Sequence, residues 1–250
     1  MIDRYINNKI NAIWNDQNRF DTWKLIQEKY VETLEELKIA EAGIAKKIRK
    51  AEISKEEVYK QEKVTNHDLA SFVDILQKKV GEGSNWVHYG LTSSDIVDSA
   101  NSLLIIQSIE VAQELILNLL KELKLKAIKN KDTKIIGRTH GVYAEETFLG
   151  NIFGNWYLEI KRSLDRLERA KVSIAYGKLS GPVGNHTVVT EEMEKITLEK
   201  LGLKPEIFAS QIVSRDRYAE VFTSLSILAS TYERISTNLR SYQRSEISEM

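Results

Sequence analysis

The chain has 250 residues, 42% of them hydrophobic and 29% charged, and its 36 basic side chains balance its 36 acidic ones. That is enough sequence to bury a sizeable core, and zero net charge gives no general attraction to nucleic acid or to an anionic membrane. With no cysteine, disulfides and thiolate metal sites are excluded, as suits a reducing compartment. The opening MIDRYINNKI lacks the apolar stretch of a secretory signal, and uninterrupted apolar runs such as Leu103 to Ile106 are too short to span a bilayer. A soluble, cytoplasmic protein is expected.

The first 85 residues read as short helices over 8–16, 19–50, 54–63 and 66–80. They end at GEGSNW, where Gly81 and Gly83 mark a boundary. The mixed-sign run from Lys46 to Lys63 reads as a solvated face. Three long helices then follow, over 95–130, 142–176 and 213–248, rich in Leu, Ile, Glu, Lys, Gln and Arg. At 1.5 Å per residue, roughly 35 residues make a rod of about 50 Å. In the last helix Tyr218, Val221, Leu225, Leu228, Tyr232, Ile235, Leu239 and Tyr242 alternate spacings of three and four. This heptad seam predicts shallow-angle packing against other long helices. In the second long helix, Gly150 and Gly154 stand one turn apart and predict a close helix approach. The expected fold is all-α: a small helical domain over 1–85, then a bundle of very long helices over 86–250.

Polar and glycine-rich residues gather at the helix boundaries, in NHDLASF (66–72), WVHYGLTSSD (86–95), GRTHG (137–141) and SGPVGNH (180–186). These four clusters hold all four histidines. Thr92 to Asp95 fits the [ST]-x-x-[DE] pattern of a helix start. Its three consecutive hydroxyls exceed what a cap needs, and hydroxyls beside a helix N-terminus suit a carboxylate or phosphate. Asn66 is expected to cap a helix whose first turn holds His67 and Asp68. A His-Asp pair could also belong to a metal site, but no HxxxH or HxxE spacing supports one. GRTHG offers an anion partner (Arg138), a hydroxyl (Thr139) and an imidazole (His140) able to exchange a proton near neutrality. A histidine bonded to a backbone carbonyl explains that stretch equally well.

Taken in order, MIDRY, NHD, HYGLTSSD, GRTHG, SGPVGN, SQIVSRDR and LRSYQRSE closely resemble the adenylosuccinate lyase family of the fumarase/aspartase superfamily. The resemblance covers essentially the whole chain. It implies β-elimination: adenylosuccinate gives AMP and fumarate, and the succinyl-carboxamide ribotide of purine biosynthesis is cleaved likewise, with no metal or other cofactor. Carried over by motif, His140 is the general acid, its flanking glycines letting the backbone approach the substrate. Arg4 and Tyr5 match phosphate-binding positions, and Asn66, His67 and Asp68 line the nucleotide site. His88 stands beside the pocket, Thr92 and Ser93 cradle a carboxylate, and Gln211 meets the succinyl-bearing portion. The family's base is a serine in a loop of the form GSSxMPxKxNP, which these 250 residues do not contain, so a fragment is expected. The resemblance also implies a homotetramer with shared active sites. The competing readings are another lyase of the superfamily, of the argininosuccinate type; a non-catalytic helical scaffold; and a metal-dependent His-Asp hydrolase.

Overall fold

The computed structural model describes residues 3–250; Met1 and Ile2 of the MIDRY motif lie outside the described residues. The helices are α1 (Asn8–Trp14), α2 (Asp16–Glu36), α3 (Ile44–Lys50), α4 (Lys55–Thr65), α5 (Asp68–Val80), α6 (Ser93–Lys129), α7 (Leu149–Ile174), α8 (Glu191–Lys200) and α9 (Asp216–Tyr242). A hairpin of β1 (Lys134–Thr139) and β2 (Val142–Phe148) precedes α7, and the two-residue strands β3 (Tyr176–Gly177) and β4 (Lys204–Pro205) pair in parallel.

The chain forms two compact units, Met1–Ser108 with Ile174–Arg215, and Ile109–Ser173 with Asp216–Met250. Glycine punctuation predicted a division near residue 85 instead. The difference has a physical cause: α6 contributes to both units, and residues 174–215 return to fold with the first.

In the first unit α2 supplies the spine. Phe20, Trp23, Ile26, Tyr30 and Leu34 recur at helical spacing and are essentially inaccessible, which is the pattern of a helix buried along one stripe. Phe20 and Trp23 meet edge to face at 5.2 Å, and Trp23 meets Phe72 of α5 at 5.6 Å. Ile96 and Ala100 of α6, with Leu179, Met193 and Leu198, complete the same core. The helix expected over 19–50 is two helices, because Lys38 (φ 58°) and Gly43 (φ 99°) take left-handed conformations that a helix interior excludes. Between α7 and α9, α8 escaped sequence reading. Thr190 caps it, accepting the Met193 amide at 3.2 Å.

In the second unit α7 buries Leu149, Phe153, Trp156, Ile160, Ser163, Leu167 and Ala170, another alternation of four and three. The α9 seam also faces inward: Val221 and Leu228 are buried and the rest of it is half-buried. Thr231 of α9 donates to Glu159 of α7 at 3.0 Å, and Arg234 pairs with the same carboxylate. Gly150 meets the expectation of a close approach. A Cβ there would lie 2.6 Å from the Ala127 carbonyl oxygen and 2.8 Å from the Lys131 Cα. Gly154 does not, since a Cβ there would meet nothing within 4 Å.

By length and composition α6 is long and apolar enough to cross a membrane. Its first half instead buries Ile96, Ala100, Leu104 and Ile105 within the first unit.

Candidate functional site

The first turns of α6 draw the sequence motifs of the first unit together, and they do so with charged and hydroxyl side chains. Ser93 comes first. Its Oγ lies 3.3 Å from Nε2 of His67, which joins the TSSD and NHD motifs. His67 itself is the N-cap of α5, its Nδ1 accepting the Ala70 amide at 3.3 Å. The expected cap, Asn66, instead closes α4 in a left-handed conformation (φ 51°), its amide donating to the Glu62 carbonyl at 2.8 Å. Asparagine tolerates that region better than most residues, which leaves the capping of α5 to its neighbour. Asp68 occupies the first turn, as expected, and its carboxylate lies 3.5 Å from His67 Nδ1.

Asp95 fixes the helix start. Its Oδ2 accepts the Thr92 amide at 2.8 Å, the reach-back half of a capping box, and also the Gly181 amide at 3.2 Å. Its Oδ1 pairs with Lys178, and both side chains are fully buried. Lys178 also donates to the Gly181 carbonyl at 2.8 Å. The SGPVGN loop is thus tied to the TSSD helix start by one ion pair and two backbone groups. Burial pushes the Asp95 carboxyl above the usual carboxylate range, against the opposing pull of Lys178 and the two amides. One turn on, Ser99 bridges the backbone of Lys178. Asp98 accepts the Val213 amide at 2.8 Å and grips both terminal nitrogens of Arg215 at 3.0 and 3.1 Å. That anchors SQIVSRDR, in which Gln211 lies exposed in a bend.

His88 sits in the loop before α6 with left-handed φ (62°) and is held by Gln27 of α2. Its amide donates to Gln27 Oε1 at 2.9 Å, and its Nδ1 lies 2.8 Å from Gln27 Nε2. Burial, helped by the neighbouring His67, pushes the His88 imidazole down to about 4. Tyr30, whose hydroxyl donates to the Tyr89 carbonyl at 2.8 Å, is pushed above its usual range, chiefly by burial.

Arg4 and Tyr5 form an exposed turn of 3-10 helix at the chain start. The guanidinium lies over the tyrosine ring, 4.8 Å from its centroid. Among the described residues no hydrogen bond ties either to the His67–Ser93 pair.

His140 belongs to the second unit, and its setting differs from the expected helix start: it forms the tip of the β1–β2 hairpin. Thr139 pairs with Val142, and His140 (φ 56°) with Gly141 (φ 79°) makes the two-residue turn between them. Both turn positions require positive φ, as the right-handed twist of a hairpin demands. Gly137 lies at the irregularity in the ladder, where a Cβ would stand 2.9 Å from the Glu145 carbonyl. The two glycines therefore have local causes in hairpin geometry, and the backbone access to a substrate expected of them is not needed to explain them. His140 is exposed. Arg138, expected as an anion partner, holds the Glu249 carboxylate at 2.6 and 3.2 Å. The pairing holds the Glu249 carboxyl below the usual range.

Beyond these residues, sequence reading missed Gln27, Lys178 and Asp98. Each acts on a partner 61 to 117 positions away, and no local pattern marks such a pair.

The chain belongs to a lyase family within the fumarase/aspartase superfamily: the profile of the family described as "Lyase" matches residues 7–250. Among curated relatives, the adenylosuccinate lyase of Thermotoga maritima is 39% identical over 251 residues, covering 100% of this chain and 58% of the relative. Those of Aquifex aeolicus and Bacillus subtilis are 38% and 36% identical, again over 100% of this chain and 58% of each relative. The chain therefore spans somewhat under three-fifths of these relatives' length. Among solved structures, the fumarate lyase of Mesorhizobium sp. BNC1 superposes with a TM-score of 0.91 at 19% identity, covering 96% of this chain and 58% of that one. The β-carboxy-cis,cis-muconate cycloisomerase of Acinetobacter calcoaceticus gives 0.90 at 19% identity, covering 97% and 59%. At that identity the likeness is one of fold.

Proposed function

We propose that the full-length protein is an adenylosuccinate lyase. It cleaves adenylosuccinate to AMP and fumarate, and the succinyl-carboxamide ribotide (SAICAR) to its carboxamide (AICAR). The observation that carries this reading is the gathering of motifs on the first turns of α6. Ser93 holds His67, Asp95 holds the SGPVGN loop through Lys178, and Asp98 holds SQIVSRDR. Similarity to adenylosuccinate lyases along the entire chain supports it.

In the proposed mechanism a base takes a proton from the succinyl carbon, and an acid protonates the departing nitrogen. The carbanion's charge passes onto a carboxylate. The amides of Ser93 and Ser94, which begin α6 with no intrahelical acceptor, suit that developing charge together with the Thr92 and Ser93 hydroxyls. His140 serves as the acid; its exposure at a hairpin tip leaves the imidazole open to a substrate. His67, Asp68, Asn66 and His88 contact the nucleotide, Arg4 and Tyr5 its phosphate, and Gln211 the succinyl portion. The base comes from sequence beyond these 250 residues.

The protein works in the cytoplasm as a homotetramer with shared sites. Leu115, Leu117, Leu125, Leu158, Phe222 and Ile227, on α6, α7 and α9 of the second unit, are between 45% and 58% exposed. Exposed apolar side chains on three long helices are consistent with self-association.

Calorimetric titration of the full-length protein with AMP and, separately, with arginine tests the substrate class. Saturable AMP binding without arginine binding is expected. Arginine binding without AMP binding would move the protein to the argininosuccinate type, and binding of neither would leave the scaffold reading.

A further inference from the structure

Gln27 lies in the middle of α2, outside every polar cluster of the sequence, and is completely buried. A buried primary amide is costly unless its ends are hydrogen-bonded. Both ends of this one go to a single residue. The His88 backbone N–H donates to Oε1 at 2.9 Å, while Nε2 stands 2.8 Å from His88 Nδ1.

The chemistry of these atoms leaves one assignment. A backbone N–H can only donate, so the Gln27 atom facing it is the carbonyl oxygen. The other end is then the NH2 group, which also can only donate. Nδ1 of His88 must accept, so it carries no proton, and the proton of the neutral ring sits on Nε2. The left-handed backbone of His88 (φ 62°) lets its amide and its ring address the same glutamine.

We propose that Gln27 is a positioning residue that locks His88 in the Nε2–H form, so that His88 donates a hydrogen bond to an acceptor atom of the nucleotide and does not serve as a base. The role in binding rests on the adenylosuccinate lyase reading; the tautomer does not. Two further observations agree. Burial and then His67, the neighbouring titratable group, hold the imidazole down to about 4, so the neutral ring persists at physiological pH. A ring protonated at Nδ1 would also point a proton at the Gln27 NH2, so charging His88 breaks the clasp.

The test uses full-length protein labelled with 15N-histidine. At pH 7.5 the His88 resonances should report a protonated Nε2 and a bare Nδ1; a protonated Nδ1 would overturn the proposal outright. Gln27→Met keeps the volume and removes both bonds. It should release the ring to a mixture of tautomers and raise the KM for adenylosuccinate by about tenfold, the worth of one hydrogen bond, with a smaller change in kcat. Should that variant not fold, Gln27→Glu serves in its place. It keeps an acceptor for the His88 amide, but its carboxylate faces Nδ1, so His88 should titrate at higher pH and KM should again rise. Unchanged KM and kcat in a variant whose tautomer or titration had changed would sink the positioning role. A full-length protein without lyase activity would sink the functional reading and the positioning role with it, while the spectrum would still decide the tautomer.

Discussion

Removing the Lys178 side chain should expose how strongly the SGPVGN loop depends on one buried ion pair. In Lys178→Met the volume is nearly kept, but Asp95 loses its counter-charge at a site where both partners are fully buried. Breaking a buried pair from one side typically costs about 3–5 kcal/mol. Here Asp95 keeps the amides of Thr92 and Gly181, and its carboxyl can take up a proton, so the lower end of that range is expected, about 3 kcal/mol. For a chain of this size that corresponds to a fall in Tm of about 6–12 °C. The pH dependence carries a definite sign. Burial already raises the Asp95 carboxyl and Lys178 opposes that rise, so the variant's carboxyl lies higher still. A carboxyl raised in the folded state binds more protons there than in the unfolded chain, so stability falls as pH rises through its folded value. The deficit of the variant should therefore be larger at pH 7.5 than at pH 5. The assay is thermal unfolding of variant and wild type at both pH values and one protein concentration. A Tm within about 2 °C of wild type at pH 7.5, or a deficit that grows toward acid, would refute the reasoning.

Gly150→Ala should destabilise by about 1–3 kcal/mol, because the added methyl meets backbone atoms that cannot turn aside. Gly154→Ala, with open space around it, should be neutral or stabilise by up to about 1 kcal/mol through helix propensity; urea unfolding of the two variants compares them directly. Arg4→Ala should weaken AMP binding and raise KM more than it lowers kcat, since a guanidinium fork suits a phosphate distant from the bond being broken. Unchanged AMP affinity in a direct titration would remove Arg4 from that role. Residues 1–250 alone should give no measurable fumarate from adenylosuccinate on prolonged incubation, since the proposed base lies elsewhere, and robust turnover would place the base within them.

Much of the architecture was legible because it rests on local periodicity. Helix α6 begins within two residues of where Thr92 to Asp95 predict it, and the α9 seam faces inward as a heptad pattern should. The hairpin at 134–148 was not read, although its signal was present. His-Gly is a two-residue turn flanked by KIIGRT and VYAEETF, strands rich in β-branched and aromatic residues. The glutamates and alanine of β2 suit a helix as well, and with α7 following directly they extended its pattern backward. His67 took the N-cap expected of Asn66 because either can cap, and only the left-handed turn in which Asn66 ends α4 decides between them. The polar ties of the first unit lay beyond sequence reading altogether. Asp95 looked like a cap and is one, but its second function depends on Lys178, 83 positions along the chain.

The most direct test of the account is fumarate release from adenylosuccinate by the full-length protein, measured beside its His140→Ala variant. The wild type should release fumarate and AMP in equal amounts. The variant should be slower by about 100- to 10,000-fold, the usual contribution of a general acid, with AMP affinity unchanged. A wild type that releases no fumarate would contradict the function, and a variant retaining more than about half of wild-type turnover would contradict the role of His140.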